Sequence, residues 1–132
     1  MRTPRFLSVE RVLALHRLQL EKFGGQEGVR DQALLESAVA MPAASFGGQF
    51  VHAGLAEMAA AYLFHINRNH PFLDGNKRTA TAAAVVFLEL NGVDFVASNE
   101  ELTAIALAVA SGTADKAAAA DFFRRHIPPT QD

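Results

Sequence analysis

The segment from His70 to Arg78, with the sequence HPFLDGNKR, joins two apolar stretches and is poorly suited to packing. Its Asp-Gly-Asn step is typical of a turn followed by the start of a helix, where the first backbone N–H groups lack partners within the helix. The positive end of the helix dipole lies at the same point. The sequence therefore predicts an anion-binding site around Gly75, Asn76, Lys77 and Arg78.

The charged side chains of this segment indicate which anion it binds. Lys77 and Arg78 in the first helical turn can neutralise several charges at once, which suits a polyphosphate better than a carboxylate. Asp74 adds an oxygen ligand, and Mg²⁺ is usually held by one or two carboxylates together with phosphate oxygens and water. We therefore expect a nucleoside triphosphate bound with Mg²⁺.

His70 and Phe72 have different predicted roles in the same segment. An imidazole titrates near neutral pH, so His70 can take a proton from an attacking hydroxyl group and is the candidate general base. Phe72 is expected to point into the core and fix the loop, because catalysis requires preorganised groups. His70, Lys77 and Arg78 are thus the predicted catalytic residues, and Phe72 is a predicted structural anchor.

Helical periodicity and capping signals predict the elements that position this segment. The spacing of apolar residues, the caps Ser8 and Asp31, and the Ser98–Glu101 capping box all favour helices. We expect helices at about 8–23, 31–42, 53–69, 76–90, 98–110 and 113–126.

The stretch from Ala43 to Val51 breaks the helical pattern. Gly47 and Gly48 between Phe46 and Phe50 favour a tight turn, and this segment, with Gln49, is a predicted exposed flap. Val93 to Val96 is the other short β-like piece. The predicted class is all-α, a single domain with a core at about residues 8–126 and short flexible tails.

Composition narrows the class of protein further. The chain has 132 residues, 50% of them hydrophobic, which suffices for one core, and it has no cysteine to form a disulfide or thiolate metal site. A formal charge of −2 gives no general reason to bind nucleic acid. No apolar run has the length of a membrane span or signal peptide, so we expect a soluble, cytoplasmic protein.

The remaining histidines give weaker signals. His16 lies on the apolar face of the first helix and is expected to be a core histidine with a hydrogen bond. His65 and His70 are five residues apart, rather than the four that place two ligands on one helix face, so a histidine metal site is not expected. His52 and His126 show no partner pattern.

His70 to Arg78 resembles the motif of the Fic family, in its death-on-curing (Doc) form with Asn-Lys-Arg in place of Asn-Gly-Arg. Phe23-Gly24-Gly25, the helix from Asp31 to Ala40 and the Asn91-Gly92 closure are also similar to the Doc pattern. The resemblance covers most of the chain, from Ser8 to about Arg125.

The resemblance implies a toxin of a bacterial toxin–antitoxin pair. It implies an ATP- and Mg²⁺-dependent protein kinase, with the histidine as base and the acidic residue on the metal, that phosphorylates a threonine of elongation factor Tu and stops translation. It further implies a small Phd-like antitoxin as partner, and a flap at Phe46 to Phe50 that aligns the target by strand addition.

Two alternatives stay open. Most Fic proteins transfer AMP, but here Lys77 replaces the second glycine of the motif and Thr81 stands where a second arginine is usual, and both departures argue against AMP transfer. The other alternative is a module that keeps the fold and acts through binding without catalysis.

Overall fold

The computed structural model describes residues 3–128, which form six α-helices, one turn of 3-10 helix and one short hairpin. The helices are α1 Val9–Phe23, α2 Gln32–Ala40, α3 Leu55–Asn69, α4 Asn76–Leu90, α5 Asn99–Ser111 and α6 Lys116–His126. The predicted all-α class is confirmed. Of the predicted tails, residues 1–2 and 129–132 lie outside the described residues.

The predicted caps set the helix starts. Ser8 accepts a hydrogen bond from the N–H of Arg11, and Asp31 accepts one from Leu34. Ser98 and Glu101 form the complete capping box. The last helix begins later than predicted, at Lys116, because the Asp115 side chain accepts the N–H of Ala118 and so caps α6.

The flap is an antiparallel hairpin of β1 Ser45–Phe46 and β2 Gln49–Phe50. Gly47 and Gly48 both have positive φ angles, 60° and 81°, which is the geometry that a two-residue hairpin turn requires. Phe46 is 85% exposed, while the ring of Phe50 lies 5.5 Å from that of Phe6. The hairpin is therefore attached to the body at one strand and open at the other.

Val93 to Val96, the other β-like piece, forms no strand. It runs as a loop between α4 and α5, where Phe95 packs on Phe122 and Phe123, and Val96 donates its N–H to the carbonyl of His126. The interpretation as β structure was wrong because no strand within residues 3–128 lies beside this segment and Phe95 packs on α6 instead.

Helix α3 is the centre of the core and contacts α2, α4, α5 and α6. Fully buried alanines let these helices approach closely: Ala59, Ala60 and Ala61 on α3, and Ala80, Ala83 and Ala84 on α4. Tyr62 is also fully buried, and its hydroxyl accepts the N–H of Leu7; burial raises the pKa of Tyr62 to about 12. None of the helices within residues 3–128 has the length and hydropathy needed to span a bilayer.

His52 and His65 share Lys116, an arrangement that the sequence did not reveal. The Lys116 Nζ lies 3.1 Å from the Nε2 of His52 and 3.0 Å from that of His65. Burial, reinforced by this cation, lowers the pKa of His65 from 6.5 to about 4, and the same causes lower the pKa of His52. Neutral imidazoles thus accept the lysine N–H groups, and they join α3 and the segment just before it to the start of α6.

We expect His65 to make the protein less stable in mild acid. Between pH 6.5 and about 4 the unfolded chain binds a proton on His65 that the folded chain does not, so the free energy of unfolding falls as the pH falls. After discounting for solvent screening, the effect is about 1–2 kcal/mol. Urea unfolding of the wild type and of His65→Gln at pH 7, 6, 5 and 4 measures it, with a flatter profile expected for the variant.

His126→Gln is the matched control. The Phe122 carbonyl, and then Glu101, raise the pKa of His126, so its stabilisation is present below pH 6.5 and is lost as the pH rises through the raised pKa. Between pH 5 and 6.5 this variant should be less stable than the wild type by a constant amount, so that the two profiles run parallel. Above pH 6.5 its free energy of unfolding should approach the wild-type value. Parallel profiles for the wild type and His65→Gln would contradict the assignment.

Candidate active site

The loop between α3 and α4, residues 70–75, begins and ends in left-handed backbone conformations. His70 closes α3 with φ 50° and ψ 54°, and Gly75 opens α4 with φ 78° and ψ 18°. Because Gly75 is the N-cap residue and has no side chain, no capping side chain bonds to the first N–H groups of α4. The first-turn N–H groups of Asn76, Lys77 and Arg78 are therefore left for a ligand, as at other helix starts that bind anions.

Phe72 fixes the middle of the loop. Its ring is fully buried and stacks on the imidazole of His16, with ring centroids 3.8 Å apart and planes 8° from parallel. The Nε2–H of His16 donates to the carbonyl of Asp74 at 2.8 Å. The expectation of a core histidine with a hydrogen bond is confirmed, and His16 acts as a support beneath the loop.

Asn76 is committed to the loop itself. Its side chain is buried, with Oδ1 accepting the N–H of Phe72 and Nδ2 donating to the Phe72 carbonyl, both at 2.9 Å. These two bonds saturate the backbone of Phe72. Any phosphate contact by Asn76 is consequently left to its backbone N–H, which narrows the role predicted from the sequence.

The connection between α1 and α2 pairs with the loop through the backbone. The carbonyl of Pro71 accepts the N–H groups of Arg30 and Asp31, at 2.6 and 3.1 Å, and Leu73 donates its N–H to the carbonyl of Gly28 at 3.0 Å. Sequence reasoning missed this support.

Two glycines were the signal that could have revealed this pairing. Gly25 and Gly28 have φ angles of 126° and 131°. A β-carbon on Gly25 would lie 2.9 Å from a carboxylate oxygen of Asp74, and one on Gly28 would lie 2.8 Å from the side chain of Leu73. A side chain at either position would be strained by the positive φ and would have to displace the side chain of Asp74 or Leu73.

Asp74 carries a negative charge at neutral pH. The N–H groups of Gln26 and Gly75 donate to its two oxygens, at 3.1 and 2.9 Å, and with the nearby Arg78 they hold its pKa below the ordinary value. The carboxylate is exposed. Within residues 3–128 no group of three or more His, Asp or Glu could hold a metal ion alone. A single carboxylate suits Mg²⁺ that takes its other ligands from phosphate and water.

A cleft of about 820 Å³ opens beside this loop. Asp74, Gly75, Asn76, Lys77 and Arg78 line one wall, the end of α1 another, and α4 and α5 form an apolar floor. His70 and the flap residues 46–50 are not among the lining residues. The structure thus brings the predicted phosphate and metal residues together, with His70 exposed at the opposite end of the same loop.

Two cleft residues bear on the electrostatics. The guanidinium of Arg78 lies 4.4 Å from the ring centre of Phe23, a cation–π contact that restrains this predicted phosphate ligand. Thr81 lines the cleft one turn further along α4, and its hydroxyl donates to the carbonyl of Lys77 at 2.9 Å. The cations that α4 presents to the cleft are therefore those of its first turn.

Comparison with known proteins identifies the class. Residues 6–88 match the Fic/DOC family. The chain is 34% identical over 121 residues to "Protein kinase doc" of Escherichia phage P1, covering 92% of this chain and 94% of that protein. It is 51% identical over 75 residues to "Toxin Doc" of Mycolicibacterium smegmatis, covering 57% of this chain and 58% of that protein. This chain belongs to the Fic/DOC family, which confirms the resemblance.

Neighbouring residues Asn76 and Lys77 should differ sharply on substitution. Asn76→Ala leaves the N–H and carbonyl of Phe72 unpaired in the interior and should lower the free energy of unfolding by about 2–4 kcal/mol. Lys77→Ala, at an exposed position, should change it by no more than about 0.5 kcal/mol. Urea unfolding measures both. Equal stabilities for the two variants would contradict the role of Asn76 as a loop support.

Proposed function

We propose that this protein is the toxin of a toxin–antitoxin pair and acts as a Mg²⁺- and ATP-dependent protein kinase. The observation that carries the proposal is the first turn of α4, where unpaired N–H groups, Lys77 and Arg78 face one cleft beside a charged Asp74. The names of the relatives, a protein kinase in phage P1 and a toxin in M. smegmatis, support the same conclusion.

The reaction is transfer of the γ-phosphoryl group of ATP to a serine or threonine hydroxyl. His70 accepts the hydroxyl proton as the hydroxyl oxygen bonds to the γ-phosphorus, and the bond from that phosphorus to the β,γ-bridging oxygen breaks. The products are ADP and a phosphorylated protein. His70 stands at the solvent-facing end of the loop, where a protein hydroxyl can approach it.

The other residues of the site stabilise charge. The side chains of Lys77 and Arg78, with the N–H groups of Asn76, Lys77 and Arg78, bind the phosphate oxygens and neutralise charge as the phosphoryl group leaves. The N–H of Gly75, a predicted phosphate ligand, is instead bonded to the carboxylate of Asp74. Asp74 would hold Mg²⁺, which when bound offsets the charge of the polyphosphate.

The hairpin is the proposed docking element for the target. Its strands expose backbone edges next to Phe46, so an extended segment can add to it as a further strand. We propose elongation factor Tu as the target, a small Phd-like antitoxin as the inhibitory partner, and the bacterial cytoplasm as the location. The net charge of −2 offers no basis for binding nucleic acid.

Label transfer tests the chemistry. We expect the protein to transfer label from γ-labelled ATP, and none from α-labelled ATP, to elongation factor Tu in the presence of Mg²⁺. His70→Ala should transfer no label and should not arrest growth. Transfer of the α-label alone would establish AMP transfer instead, and growth arrest by His70→Ala would point to a module that acts through binding.

Lys77 should be required for the rate of transfer. Lys77→Met removes a charge from the proposed phosphate site and should lower kcat for γ-label transfer roughly 100- to 1,000-fold. Arg17→Met is the control, since Arg17 is exposed on α1 outside the cleft lining, and its kcat should stay within about two-fold of wild type. A Lys77→Met enzyme with wild-type kcat would exclude the proposed role.

A further inference from the structure

His70 has a backbone conformation that needs outside support. Among residues 3–128 it is the one residue other than glycine with a positive φ angle, 50°. A left-handed conformation is unfavourable for a residue with a β-carbon. The direction in which the His70 side chain leaves the backbone would also change if φ relaxed to a negative value. The surrounding contacts therefore have to hold the proposed base in place.

Arg30 makes those contacts from the α1–α2 connection. Its Nε donates to the carbonyl of His70 at 2.7 Å, and its Nη2 donates to the carbonyl of Asn69 at 2.9 Å. Carbonyls at a helix end lack partners within the helix and carry the negative end of its dipole, so a guanidinium satisfies both their geometry and their charge. The N–H of Arg30 also donates to Pro71, which fixes the arginine at its own backbone.

We propose that Arg30 is a positioning residue for His70, an inference that rests on the proposed role of His70 as base. The guanidinium bonds to the carbonyl oxygens of the two peptides on either side of the His70 α-carbon and so sets the direction in which the imidazole leaves the chain. Arg30 does not line the cleft. It therefore acts through His70 rather than on the nucleotide, and its loss should lower kcat while leaving KM for ATP unchanged.

A role limited to stabilising α3 is the competing explanation, and two comparisons separate it. Arg30→Lys keeps a cation that can reach one of the two carbonyls, whereas Arg30→Gln removes the charge. Arg68→Gln is the matched control, because Arg68 lies two residues before His70 on α3 and its guanidinium contacts the ring of Phe64 instead.

The kinetic test measures γ-label transfer by the full chain. Arg30→Gln should lower kcat about 10- to 100-fold, the effect of displacing a catalytic group by about 1 Å, with KM for ATP within about two-fold. Arg30→Lys should recover part of the rate, and ethylguanidinium should partly restore Arg30→Ala. Arg68→Gln should stay within about two-fold. A wild-type kcat, or a loss that comes through KM, overturns the proposal.

A second measurement does not depend on catalysis. Backbone NMR shifts of His70 in the protein without ATP report its left-handed conformation, and they should move in Arg30→Gln and remain in Arg68→Gln. Unchanged His70 shifts in Arg30→Gln overturn the proposal. If the wild type transfers no label, the proposed function fails while the shifts still decide whether Arg30 holds His70. If Arg30→Gln does not fold, Arg30→Lys supplies both measurements.

Discussion

Phe72 is the central anchor of the loop 70–75. Its side chain is buried between the imidazole of His16 and the core, and the side chain of Asn76 bonds to both its N–H and its carbonyl. An aromatic side chain contributes about 1.5–3 kcal/mol when it is fully buried, so releasing the loop would cost a large part of the stability of a domain of this size. This burial leaves Leu73 and Asp74 exposed on the surface side. The loop is rigid because its central residue belongs to the core.

A second support comes from the connection between α1 and α2. Its backbone pairs with Pro71 and Leu73, and its side chain at Arg30 bonds to the end of α3. The core holds the loop from below and this connection holds it from the side. The side chains of the loop 70–75 are thus held in one geometry by two sets of contacts. Preorganised catalysis requires such fixed positions.

Charge is distributed unevenly along the same loop. Asp74 and the first turn of α4 face the cleft, whereas His70 is exposed at the other end. The proposed nucleotide site and the proposed base therefore lie at the two ends of one loop. Lys77 is exposed in the first turn of α4 and lines the cleft.

The sequence by itself determined the helices and the position of the chemistry. Caps such as Ser8, Asp31 and the Ser98–Glu101 box are bonds between residues three apart, and the glycines of the hairpin act within a single turn. Such signals can be read locally. The cluster of His70, Asp74, Lys77 and Arg78 could be recognised for the same reason, since all of its members lie within nine residues.

Only the tertiary structure decided what supports that cluster. His16 and Arg30 bond to the loop although they lie 58 and 40 residues away from their partners in the chain. The contact between Lys116 and His52, elsewhere in the structure, likewise joins residues 64 apart. The side chain of Asn76 turned from a predicted ligand contact to a structural bond because the buried backbone of Phe72 needed partners. These long-range partners depend on how the helices pack around α3. That packing cannot be predicted from local sequence patterns.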